Sequence, residues 1–341
     1  MPASVSVMKD RALAALVGGA LGDAMGMPTQ LLPPGQISAR FGRVETFVAP
    51  SDDHPVSRGL EAGTVTDDTE QTLLLGMVLL QSEGKFDHHR WIDALVAWEN
   101  DIRARGGYDL LGPSTKRAIE AIRSGLSPEE AGRYGDTNGA AMRIAPAGIM
   151  VPPSARLIHT VAETCRATHN TSIAIAAAAA VATVVSHGVD GLSWREAASK
   201  AIDAATAAET EGAWVAGARL SSRIAWALDM ADRAGTAADI RSLFDLLGTS
   251  VASQESVPAA FATLALADGD VWTAAQLAAN LGGDTDTIGA IAGTMAGACS
   301  GMAHLPREKI ARLKGFDIEA ARDMAEKLVD IRVAAENGGG G

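Results

Sequence analysis

The stretch from Thr171 to Val185 is mostly alanine with isoleucine and valine, so it is apolar nearly all round. A helix without a polar face has to sit inside a core, enclosed by other elements. The run Ile173 to Val185 is too short to span a bilayer. The chain must therefore build a bundle large enough to surround it. With 341 residues, 47% hydrophobic and 21% charged, it has the material for that core and is not a disordered chain. Length alone suggests about two domains. No composition shift cuts the chain, however, and no repeat of fixed period runs through it. A single domain over 1–336 is expected, with 337–341 as a disordered glycine-rich tail.

Helical spacing recurs elsewhere. Leu13, Leu16, Val17 and Leu21 fall at three- and four-residue steps, as do Leu73, Leu74, Met77, Val78 and Leu80. Ile318 to Ala334 alternates charged and apolar faces. Alternating β-branched stretches are nearly absent, and there are only two Tyr and six Phe. The expected class is all-α. One segment departs from it: 31–63 holds four prolines and four glycines and reads as a long flap or loop, with a short extended piece at Val44 to Val48. Gly18, Gly22 and Gly26 lie four apart on one helix face and indicate close helix packing rather than a phosphate loop.

Charge and cysteine content exclude several classes. Lys and Arg total 29 against 41 Asp and Glu, a net charge of −12 with no basic cluster, which argues against binding nucleic acid. Cys165 and Cys299 cannot build a disulfide scaffold or a cysteine zinc site, and read as buried thiols in a reducing cytoplasm. The N-terminal segment has no convincing signal peptide, and no membrane association is expected.

The chemistry gathers in two acidic knots. The first is Gly63-Thr64-Val65-Thr66-Asp67-Asp68-Thr69-Glu70-Gln71-Thr72, and the second is Gly282-Gly283-Asp284-Thr285-Asp286-Thr287-Ile288-Gly289. Each stands just before an apolar helical run. Thr and Asp are good N-caps, acids suit a helix N-terminus, and Asp67-x-x-Glu70 has capping-box spacing. A cap needs one oxygen, whereas each knot supplies two carboxylates and neighbouring hydroxyls. Buried carboxylates at that density repel one another and call for cations. Oxygen donors without His or Cys point to Mg²⁺, Mn²⁺ or Ca²⁺. Two knots far apart in the chain can together clamp a pair of metals.

Gly22-Asp23-Ala24-Met25-Gly26, Thr66-Asp67-Asp68-Thr69, Asn138-Gly139-Ala140-Ala141-Met142-Arg143, Thr168-His169 and Gly282-Gly283-Asp284-Thr285-Asp286-Thr287 follow one another in that order. From about residue 10 to about 305 the chain resembles the ADP-ribosylglycohydrolase family. The resemblance implies a compact orthogonal helical bundle with two divalent cations in a cleft, Mg²⁺ first and Mn²⁺ second. It implies an N-glycosyl hydrolase that cleaves at the anomeric carbon of a ribose. Carried over, Thr66, Asp67, Asp68, Asp284, Asp286 and Thr287 are the metal ligands, with Asp68 or Asp286 as the base. Gln30, Gly112, Asn138, Gly139, Met142 and His169 are the substrate-binding residues, and Asp23 supports the metal site from behind.

Two positions depart from the family pattern. Many members carry Glu where this chain has Gln30, and an acid where it has Leu110, with Asp109 one residue off register. An amide neither takes a proton nor steadies a cation. The substrate is accordingly an ADP-ribosylated protein or, alternatively, a small N-riboside or nucleoside-like molecule. A non-catalytic ADP-ribose-binding or crystallin-like protein is the third alternative. An approach to the substrate without diphosphate contacts at Asn138 and Arg143 would favour the small riboside.

Overall fold

The structure, a computed structural model, describes residues 3–82, 86–104 and 112–338. Leu110, Asp109 and 339–341 lie outside them. The described residues form helices and no strand; three isolated β-bridges supply the only extended pairing. The first third holds α1 (Val5–Gly26), α2 (Pro34–Phe41), α3 (Asp67–Gln81), α4 (His88–Ala104) and α5 (Pro113–Arg123). Then come α6 (Pro128–Ala131), α7 (Gly139–Met142), α8 (Ala145–Met150), α9 (Ala155–Arg166), α10 (Ser172–Val189) and α11 (Trp194–Ala208). The last are α12 (Leu220–Arg233), α13 (Ala237–Leu247), α14 (Ser253–Leu266), α15 (Val271–Ala279), α16 (Thr285–Ser300), α17 (Arg307–Ile310) and α18 (Ile318–Gly338).

Helix α10 is the enclosed element that its composition requires. Thr171 caps it by accepting the Ala174 amide proton, and α8, α9, α11 and α16 pack around it. It is longer than the apolar run that announces it. The 18 residues Ser172–Val189 would by length and composition suffice to cross a membrane, yet 94% of them are buried inside the protein. Arg332 of α18, fully buried, ties the neighbourhood together. It donates to the carbonyls of Gly148, Ile149 and Val151 at the end of α8 and pairs with Asp190 beyond α10 at 2.6 Å.

The pairing that places the functional site is α1 against α16. Their backbones touch along a row of glycines. A Cβ on Gly22 would stand 1.9 Å from the carbonyl oxygen of Gly289, and one on Gly18 2.2 Å from that of Gly293. Gly26 meets the first turn of α16 in the same way, 2.4 Å from the Asp286 amide nitrogen. The four-residue glycine spacing therefore serves close packing, and it brings Asp23 of α1 beside Asp286 of α16. Gly22→Ala is expected to destabilise the fold by about 3 kcal/mol or more, because the obstructing atoms are backbone and cannot rotate away. Thermal unfolding would show it; an unchanged midpoint would mean that the helices separate freely.

The segment 31–63 is less irregular than its composition suggests. Pro33 and Pro34 start helix α2 rather than break one, since a proline at the first helical position lacks only an amide proton that has no partner there. No strand forms at 44–48. The Asn280 side chain instead accepts from Val44 N and donates to Val44 O, both at 2.9 Å, taking the place of a neighbouring strand.

Candidate active site

The first knot does not cap its own helix. Thr66 stands at the N-cap of α3, but its side chain makes no capping bond. Asp23 caps α3 from outside: its carboxylate accepts from the Thr66 amide at 2.8 Å, the Thr66 hydroxyl at 2.7 Å, the Thr69 amide at 3.2 Å and the Thr69 hydroxyl at 2.5 Å. Asp67 and Asp68 are thereby left free of capping duty. Asp284, at the N-cap of α16, also makes no capping bond. It accepts instead from Asn138 Nδ2 at 2.5 Å.

Packing α1 on α16 and capping α3 from α1 bring the two knots together. Carboxylate oxygens of Asp23, Asp68 and Asp286, all buried, lie within 4.8 Å of one another. Thr287 Oγ1 donates toward Asp68 Oδ2 at 3.3 Å, and Asp286 Oδ1 accepts the Thr287 amide at 3.0 Å. Asp68 Oδ1 is buried with no hydrogen-bond partner.

Burial raises the pKa of every carboxylate in the group. Asp23 and Asp284 are pushed up to about 6, and Asp67, which also feels the charges of Asp23 and Asp284, to about 8. Asp68 and Asp286 lie well above the ordinary carboxylate range, because burial is reinforced by Asp286 and Asp67 for the first and by Asp284 and Asp23 for the second. This is a set of acids that ionises fully only with positive charge beside it. Oxygen donors, an orphaned carboxylate oxygen and mutual repulsion together fit a hard divalent cation.

The cluster floors a cavity of about 230 Å³. Of the residues singled out from the sequence, Gln30, Asp67, Asp68, Gly112, Asn138, Gly139, Met142, His169, Asp284, Asp286 and Thr287 all line it. Thr66 stands outside that lining, with its hydroxyl proton given to Asp23. Leu31, Val56 and Val251 add apolar surface at the mouth. Leu31 is half exposed and stands at φ 61°, a left-handed conformation that is uncommon for leucine, with its amide N–H donating to the Gly283 carbonyl at 2.6 Å.

Several of these side chains are already engaged. Asn138 Nδ2 gives its protons to Asp284 and to Ser256 Oγ at 3.0 Å. His169 accepts at Nδ1 from Thr168 Oγ1 at 2.9 Å and from Arg143, which can only donate; Nε2 therefore carries the ring proton and donates to Thr137 Oγ1 at 3.0 Å. Burial and the charge of Arg143 hold the ring neutral, its pKa well below the usual histidine value. Arg143 is itself buried, and its hydrogen-bond partners are all neutral: Gln71 Oε1 at 2.7 Å, Thr168 Oγ1 at 2.8 Å and His169 Nδ1. Gln30 donates to Ser57 Oγ at 2.9 Å, and its carbonyl accepts from His54 Nε2 at 3.0 Å. Neither His54 nor Ser57 stands out in the sequence, and their bonds to Gln30 come from more than twenty residues away.

The sequence matches the ADP-ribosylglycohydrolase family model over residues 4–338. The chain belongs to the ADP-ribosylglycohydrolase family. It is 36% identical over 296 residues to the Escherichia coli K12 protein YegU, covering 86% of this chain and 88% of that one. It is 30% identical over 191 residues to the ADP-ribosyl-[dinitrogen reductase] glycohydrolase of Rhodospirillum rubrum, covering 53% and 59%. Among solved structures, an ADP-ribosylglycohydrolase-related protein complex superposes with a TM-score of 0.69 at 27% identity, over 96% of this chain and 99% of that one. The all-α bundle is thus the family's fold, and the family is one of glycohydrolases.

Proposed function

We propose that this chain is a hydrolase dependent on two divalent cations, Mg²⁺ before Mn²⁺, that cleaves the glycosidic bond at the ribose anomeric carbon of ADP-ribosylated substrates. The observation that carries this reading is the buried Asp68 oxygen without a partner, inside a group of carboxylates that line one cavity. Asp23, Asp67, Asp68, Asp284 and Asp286 bring five negative charges when ionised, Glu70 adds another beside Asp67, and Arg143 supplies one positive charge close by, an excess that suits more than one divalent cation. Asp67, Asp68, Asp284, Asp286, Thr287 and Thr66 would hold them. When bound, such ions orient a ribose diol and lower the pKa of a coordinated water.

The chain's own residues supply the rest. Asp68 or Asp286 takes the proton of the attacking water; each already accepts one proton from Thr287, Asp68 from its hydroxyl and Asp286 from its amide. Asn138 fixes Asp284, and the Thr287 amide fixes Asp286. Leu31, Val56 and Val251 shield the mouth from water. The carboxylates around the ribose suit the positive charge that develops on an oxocarbenium-like transition state. Both cysteines are buried and free, which fits a reducing cytoplasm.

A second reading, a small N-riboside substrate, is favoured by two observations. Asn138 Nδ2 has both protons committed inside the protein, and Arg143 Nη1 and Nη2 each already donate to a neighbour, which leaves fewer donors for a diphosphate. The cavity of about 230 Å³ is also smaller than the roughly 300–1,000 Å³ that takes a drug-sized ligand. Release of ADP-ribose from ADP-ribosyl-arginine, ADP-ribosyl-serine and O-acetyl-ADP-ribose, and of ribose from nucleosides, separates the readings when run with Mg²⁺, with Mn²⁺ and with chelator. Chelator-sensitive ADP-ribose release is the expected result. Ribose release from nucleosides alone transfers the assignment to a small riboside. Turnover that chelator leaves untouched defeats both.

A further inference from the structure

We propose that Arg143 is a positioning residue that holds the two acidic knots in register, acting through Gln71 on one side and His169 on the other. The inference rests on the metal-dependent reading above. Its basis is a chain of buried and part-buried hydrogen bonds. Gln71 Nε2 donates to Asp67 Oδ2 at 3.3 Å, and Gln71 Oε1 accepts from Arg143 Nη1 at 2.7 Å. Arg143 Nη2 donates to Thr168 Oγ1 and His169 Nδ1, and His169 Nε2 donates to Thr137 Oγ1. Thr137 adjoins Asn138, which donates to Asp284. Asp67 and Gln71 of the first knot are in this way joined to Asp284 of the second through residues that belong to neither.

The chemistry of the arginine suits the task. A planar fork donates in two directions at fixed angles, whereas a lysine ammonium is a point charge on a flexible stem. The guanidinium lies 5.0 Å from the ring of the fully buried Trp91, which gives it a face to pack on in place of an acid. A buried arginine without a carboxylate partner is a poor way to gain stability. Its placement serves the geometry of the cavity floor. His169 is accordingly a link in this chain of bonds, with both ring nitrogens occupied, rather than a donor to substrate.

The test is the affinity of the full chain for Mg²⁺ alone, by titration calorimetry, beside thermal unfolding with and without the ion. Arg143→Lys and Arg143→Met are both expected to weaken Mg²⁺ binding by about 10–100-fold, the usual range for groups that orient metal ligands. Thr137→Val, a milder change, is expected to weaken it several-fold and to add little in an Arg143→Met background, as two cuts in one chain of bonds should. A merely structural arginine would lower the midpoint of the metal-free protein and leave the Mg²⁺-induced rise unchanged. Wild-type affinity in Arg143→Lys, or full additivity with Thr137→Val, overturns the inference while leaving the metal reading intact. Wild-type protein that binds neither Mg²⁺ nor Mn²⁺ removes the metal reading, and the inference falls with it. Should Arg143→Met not fold, Arg143→Lys and Thr137→Val decide the question between them.

Discussion

Asp68→Asn is expected to lower turnover by at least about a thousand-fold and, at the same time, to raise the unfolding midpoint of the metal-free protein. The first effect follows from removing a proposed ligand and proton acceptor, since a general base alone contributes about 10²–10⁴-fold. The second follows from the surroundings of the group. Asp68 sits buried beside Asp286 and Asp67, its pKa driven well above the ordinary range by burial and by their charges. An amide of the same shape is neutral at every pH, so it avoids the cost of keeping a buried carboxyl protonated or charged, and it offers protons to the neighbouring carboxylates. A residue kept for stability would give the opposite sign. The decisive measurement pairs steady-state kinetics with calorimetry in chelator and in Mg²⁺. Lost activity with a higher metal-free midpoint, and a lost Mg²⁺-induced rise, is the expected pattern. A variant that retains activity would remove Asp68 from the mechanism.

The metal-free protein is also expected to lose stability as pH rises from about 4 to about 8, and saturating Mg²⁺ to abolish most of that loss. The sign comes from proton linkage. Asp23 and Asp284 titrate near 6 in the folded state and Asp67 near 8, all above the unfolded carboxylate value of 3.8. Between those limits the folded state holds more protons than the unfolded state. The stability these groups contribute is therefore complete below the unfolded value and is lost as pH rises through the folded ones. His54 and His169 work the other way. Their pKa values are lowered, chiefly by burial, so their contribution is present above the ordinary 6.5 and fades as pH falls. A midpoint maximum on the mildly acidic side follows, with a fall on the order of 5–10 °C toward about pH 8 in chelator. Unfolding scans across pH, with and without Mg²⁺, would record it. A flat profile in chelator would mean that the carboxylates are not mutually strained, which would undercut the case for cations between them.

Much of the fold could be read from short-range pattern. The all-round apolar stretch beginning at Thr171 demanded an enclosed helix, and α10 is that helix. The glycine spacing at Gly18, Gly22 and Gly26 announced a close helix contact, though the stripe of Gly289 and Gly293 that answers it became meaningful only once α16 lay against α1. Proline pairs misled where they started a helix at Pro34 instead of interrupting one, because the same residue type serves both purposes and only the following turn distinguishes them.

The chemistry divides along the same line. The two acidic knots and the ordered motifs between them were visible in the sequence, since carboxylate density and spacing are local properties. The order of these motifs carried the resemblance to the family, and the resemblance implied the expected ligands and the proposed bond to be cleaved. Which oxygens are free was decided by tertiary structure. Asp23 caps α3 across the core, so that Thr66 and Asp67 need not. Asn138 and His169, which read as groups for a substrate, have their donors committed to Asp284 and Thr137. Hydrogen-bond partners 25 to 146 residues apart, as in the pairs Arg143–Thr168 and Asn138–Asp284, leave no periodic trace in a sequence, because their choice depends on how helices pack rather than on what stands next along the chain.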